Sequence, residues 1–222
     1  MITETETAAR RSAAQPPRAA PRPLRALVPG VAAVLFAGVQ LQAGVATVLY
    51  REVTTVPADR LNFPYEGALS VALSLSWAVA QALFVLSLVA FARSEATGRS
   101  RPGRIGAKVM VVGGVVFVGA QCLSAFLPGA RSEDPAAGVA IGLFALGSLT
   151  SAVGFVLAGL AVIRARRWSS WRRFTPLAVG VAMLALVPVQ FTSLLALGVA
   201  LYGVAVVGFG AALLAEPLDP PA

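Results

Sequence analysis

Six apolar runs alternate with short polar breaks along the chain. They cover about Leu27–Tyr50, Ala68–Ala92, Ala107–Leu127, Val139–Ile163, Pro176–Val189 and Leu194–Leu214. A helix needs about 20 apolar residues to cross the hydrocarbon of a bilayer, so the pattern predicts an all-α, polytopic bundle of six transmembrane helices over residues 27–215. The first run is too long for the 7–15-residue apolar region of a secretory signal, and Pro29 falls in its first turn, where a missing N–H costs least. It is expected to be an uncleaved first span. No charge interrupts the chain between Phe174 and Ala215. A single helix there would be about 60 Å long, twice the hydrocarbon thickness. Pro188, Gln190, Thr192 and Ser193 supply a break, so two spans are expected, with a re-entrant hairpin as the alternative.

The polar breaks sort by charge. The tail at 1–26 carries Arg10, Arg11, Arg18, Arg22 and Arg25 among four prolines and lacks an apolar period, the composition of a disordered segment. The break at 93–106 carries Arg93, Arg99, Arg101 and Arg104, with Lys108 just beyond. The stretch 164–174 carries Arg164, Arg166, Arg167, Arg172 and Arg173. The alternate breaks hold only Arg51, Arg60 and Arg131, so 15 basic residues face three across the predicted membrane. Basic residues mark the cytoplasmic side. Both termini, including a short tail at 216–222, are therefore expected in the cytoplasm. The spans then read as three hairpins joined by basic loops, a form that any six-span chain with both ends inside takes without an internal repeat.

Composition agrees and removes several classes of function. Apolar residues make up 57% of the 222 residues and charged ones 13%, against about 45–50% and 25% in soluble domains. The net charge of +8 lies between apolar runs, which speaks against nucleic acid as a partner. There is no histidine, and the lone Cys122 sits in an apolar run, where a thiol is inert. No metal-ligand spacing or phosphate-binding glycine loop is present, so no catalytic residue, metal or cofactor is expected. Arginine makes up 17 of the 18 basic residues beside abundant Ala, Gly and Val, a usage that suggests GC-rich coding and a bacterial inner membrane.

Two sets of residues stand out. In Arg164, Arg166, Arg167, Trp168, Trp171, Arg172 and Arg173, arginine and tryptophan alternate in a way that suits lipid headgroups, where apolar stems are buried and polar ends stay wet. The expected role is a topology determinant and interfacial anchor; the sharper one is recognition of anionic headgroups or an acidic partner. Within the spans, Gln40, Gln81 and Gln121 fall at similar depth, about 20 Å or slightly less from the inner helix ends. Buried amides of this kind bond between helices or line a polar path. No Asp, Glu, Lys or Arg lies deep in a span, which argues against proton coupling and voltage sensing.

Lesser features have ordinary structural readings. Gly138 and Gly142, Gly147 and Ser151, and Thr150 and Gly154 repeat at four-residue spacing and are expected to pack within the bundle. Gly113-Gly114 reads as a packing notch. Phe63-Pro64-Tyr65 is expected to lie back on the outer interface. Glu52, Asp59 and Glu66 offer oxygen ligands with nothing to fix their geometry.

The stretches Ala92-Arg-Ser-Glu-Ala-Thr-Gly-Arg99, Arg104-Ile-Gly106, Arg166-Arg-Trp168 and Trp171-Arg-Arg-Phe-Thr-Pro176 resemble those of small multi-span integral membrane proteins of GC-rich bacteria. The resemblance covers roughly residues 65–214 and implies a topology but no activity. The expected function is a non-enzymatic interaction or regulatory role in the membrane, and the alternative is a small permease for a neutral or amphiphilic solute.

Overall fold

The computed structural model describes residues 24–98, 100–189, 192 and 194–215. Six helices dominate: α1 (Leu24–Arg51), α2 (Gly67–Arg93), α3 (Arg101–Ala125), α4 (Pro135–Ala165), α5 (Thr175–Val189) and α6 (Leu195–Leu214). Short 3-10 turns at Glu95–Thr97 and Ser170–Phe174 precede α3 and α5. With the second turn included, all six segments are long and apolar enough to cross a membrane, as in a multi-pass membrane protein. The expected tails at 1–23 and 216–222, and Arg99, Gln190 and Ser193, lie outside the described residues.

Several helices begin earlier than hydropathy alone predicts. Leu24–Ala26, assigned above to the tail, belong to α1, which puts Pro29 beyond the first turn. Helix α3 starts at Arg101 rather than Ala107, so half of the expected basic loop is helical. Its cap explains why: the Ser100 hydroxyl accepts from the Gly103 N–H at 3.3 Å, and Pro102 follows where no N–H is needed. Helix α4 likewise begins at Pro135, after Asp134, and not at Val139. Basic or polar residues in a first turn interrupt hydropathy but not helix geometry.

The helices form a closed ring in which each packs on its chain neighbours and α6 returns to α1. The α3–α4 seam depends on missing side chains. A Cβ on Gly106 would come within 2.7 Å of the Ala158 nitrogen, and Gly113 and Gly154 are pressed against the Ser151 and Met110 backbones. Gly147 and Ser151 pack here as expected, and Gly114 sits against Val85 and Leu88 of α2. Gly138 and Gly142 do not follow: both face open space, because they lie on the outer face of α4. Along α1, Gly210 meets Gly30, Ala33 and Val34, and Gly203 meets Ala37 and Leu41. Helix α6 therefore runs antiparallel to α1, and it is long and apolar enough to cross a membrane.

The centre of the ring is filled with aromatic rings. Phe84 stacks on Phe36 at 4.4 Å and contacts Phe155 at 6.2 Å and Phe209 at 6.4 Å. These four phenylalanines are at most 1% exposed. Apolar side chains such as Leu35, Val79, Leu146 and Val204 point outward, as lipid-facing residues do. The buried Ser87 hydroxyl ties α2 to α1 by donating to the Pro29 carbonyl at 2.6 Å.

At one end, the α1–α2 and α3–α4 connections interlock. The Leu61 N–H donates to the Ala130 carbonyl at 3.0 Å and the Ser132 N–H to the Asp59 carbonyl at 2.7 Å. The Ser124 hydroxyl donates to Asn62 Oδ1 at 2.6 Å, while Asn62 Nδ2 reaches back to the Ser124 carbonyl at 3.3 Å. Tyr65, expected on the interface, is buried between Tyr50 and Trp77. The acidic residues here turn to Arg131: Asp59 pairs with its guanidinium at 3.6 Å, Glu133 at 3.4 Å, and Asp134 accepts its N–H at 2.7 Å.

Candidate functional site at the basic end of the bundle

The start of α1, the end of α6 and both basic connections gather at the opposite end, as the contacts of Gly30 with Leu214 and of Gly98 with Ala165 show. Helix α4 terminates when Arg166 enters the left-handed region at φ 53°, its N–H still donating to Val162 at 3.1 Å. This reversal sends Trp168 back into the bundle. The indole is 3% exposed and meets the Phe91 ring edge-on at 5.6 Å. Phe91 in turn packs on Phe209 at 5.3 Å, so the aromatic core continues to the basic end and Trp168 closes it.

Arg172 lies over the Trp168 ring at 5.2 Å, and its Nη2 donates to the Ala212 carbonyl at 3.0 Å. Ala212 is in the last turn of α6, where carbonyls lack helical partners and the helix dipole is negative. Arg173 turns to the Phe174 ring at 4.7 Å, and the Thr175 hydroxyl holds the Arg172 carbonyl at 2.8 Å.

The seven residues of the predicted contact surface therefore divide. Trp168 and Arg172 build the lid that closes the bundle, and Arg173 is half-buried against Phe174. Arg164, Arg166, Arg167 and Trp171 remain exposed. Hydropathy and charge counting cannot make this division, because it depends on which way the chain turns after Arg166. Sequence reasoning also passed over Glu95, which pairs with Arg167 at 3.7 Å across the two basic connections.

That junction encloses a pocket. Thr97, Gly98 and Ser100 form one wall, and Leu157, Leu160, Arg164 and Arg167 the other, around a volume of about 460 Å³. Gly98, at φ 62°, lets its turn approach the Ala165 side chain to within the space of a missing methyl group. A second, apolar hollow of about 550 Å³ lies between α5 and α6, lined by residues such as Leu177, Val181, Leu186 and Leu201.

The three glutamines stand at one level, one to two turns beyond the aromatic core. Gln40 follows Phe36 by four residues, Gln81 precedes Phe84 by three, and Gln121 follows Gly114, which faces Val85 and Leu88, by seven. Gln81 and Gln121 are buried and Gln40 is half-buried. Among the described residues, no hydrogen bond joins any of them to another. Comparison with family models, curated proteins and solved structures gives no match to the chain.

Proposed function

We propose that the protein is a non-enzymatic interaction or regulatory component of a bacterial inner membrane, with its basic end in the cytoplasm as the working surface. The observation that carries this reading is the filled ring centre: Phe36, Phe84, Phe155 and Phe209 occupy the place a solute path would need. A permease built on Gln40, Gln81 and Gln121 would have to open that plug.

The orientation rests on the excess of basic residues at one end of the bundle. Exposed Arg164, Arg166 and Arg167, with Trp171 beside them, form a surface suited to anionic headgroups. The test is to replace Arg164, Arg166, Arg167 and Arg173 with Gln, leaving Arg172 to hold the lid. Preference of the detergent-solubilised protein for anionic over zwitterionic lipid should drop while the topology is kept. An unchanged preference with unchanged topology would remove this loop as the working surface.

A further inference from the structure

We propose that the pocket at the basic end holds the phosphodiester headgroup of one anionic phospholipid, with an acyl chain lying on Leu157 and Leu160. This rests on the reading of the basic end as a headgroup-facing surface and names a specific site within it. The first support is the order of side chains along α4. Leu157, Leu160 and Arg164 follow at spacings of three and four, so they share one helix face. Leu157 lies about 10 Å and Leu160 about 6 Å deeper along the axis than Arg164. Apolar wall below and guanidinium above match the order of chain and headgroup in a lipid. Leu160 is 38% exposed on the outside of the bundle, so the pocket opens toward hydrocarbon and not only toward water.

The second support is the donor set. Arg164 and Arg167 both line the pocket, and a guanidinium presents paired N–H donors that fit phosphate oxygens. Arg167 is not firmly committed elsewhere: its partner Glu95 is 3.7 Å away and the two side chains are 45% and 65% exposed. Surface pairs of this kind contribute little, so Arg167 can exchange Glu95 for a phosphate. Basic pockets between helices on the cytoplasmic side are a known form of acidic-headgroup site. A soluble phosphate would use the same arginines but would gain nothing from the leucines, which is why a lipid is the assigned occupant.

The experiment is native mass spectrometry of the full chain in detergent with phosphatidylglycerol, phosphatidylcholine or glycerol 3-phosphate added. The wild type should retain phosphatidylglycerol over phosphatidylcholine and should not lose it to millimolar glycerol 3-phosphate. R164Q/R167Q should weaken phosphatidylglycerol binding about tenfold or more, a step of one decade in Kd. R93Q/R104Q removes equal charge from exposed positions at the same end but outside the pocket, and should change it less than about threefold. E95Q, which frees Arg167 and is a mild surface change, should tighten binding. Equal losses in the two double variants would overturn the pocket while leaving diffuse headgroup attraction intact. Displacement by glycerol 3-phosphate would overturn the lipid as occupant. No preference for phosphatidylglycerol in the wild type would overturn both the pocket and the surface reading.

Discussion

Trp168 and Phe91 meet edge to face with their ring centroids 5.6 Å apart, and this contact joins the loop after α4 to the inner face of α2. The loop is part of the core at Trp168 and part of the surface three residues later, at Trp171, which is 51% exposed. Trp168→Ala should therefore cost about 3–5 kcal/mol, as for a large aromatic removed from a packed interior. Trp171→Ala should stay within about 0.5 kcal/mol. Thermal unfolding in detergent separates the two; equal effects would mean that both indoles are interfacial.

The centre of the ring is packed in the same way. Phe84 touches the rings of Phe36, Phe155 and Phe209, so Phe84→Ala opens a cavity that its neighbours cannot collapse into, at a cost of about 3–5 kcal/mol. Phe84→Leu should cost less, since it keeps most of the volume. A Phe84→Ala protein as stable as wild type would show that the centre is not tightly packed.

Glycine positions on α4 should behave in opposite ways. Gly154 is pressed against the Met110 backbone, while Gly142 has open space beside it. Gly154→Leu should destabilise by about 1–3 kcal/mol or more through overpacking, and Gly142→Leu should be tolerated within about 0.5 kcal/mol. Measured melting temperatures in the order wild type, Gly142→Leu, then far lower Gly154→Leu would bear this out.

At the other end, Asn62 takes the Ser124 hydroxyl and bonds the Ser124 and Leu127 carbonyls, serving as a remote cap for α3. Asn62→Ala should cost about 1–2 kcal/mol by leaving these groups without partners. A double-mutant cycle with Ser124→Ala should give a coupling of about 0.5–1 kcal/mol. Zero coupling would mean that the contact carries no energy.

The span count was legible in the chain because long apolar runs have one physical solution in a bilayer. Helix starts were less so, because Arg101, Pro102 and Gly103 lower hydropathy while Ser100 caps the turn they form. Burial of Gln81 and Gln121 within apolar helices was also legible, since both lie inside long apolar runs. The absence of hydrogen bonds among Gln40, Gln81 and Gln121 was not, because that depends on how each helix is rotated. Gly138 and Gly142 have the same spacing as Gly147 and Ser151, yet only the second pair meets a neighbouring helix. Spacing reports a face, not what covers it. The division of the arginine loop required the left-handed turn at Arg166, a conformation that sequence ordinarily signals with glycine.

The proposed working surface requires the basic end of the bundle to face the cytoplasm. The direct measurement is labelling by a membrane-impermeant maleimide in intact cells, with Cys122 replaced by serine and a single cysteine at position 133 or 171. Cysteine at 133 should react in intact cells, and cysteine at 171 only after the membrane is opened. Labelling of position 171 in intact cells, with position 133 protected, would reverse the orientation and contradict the account.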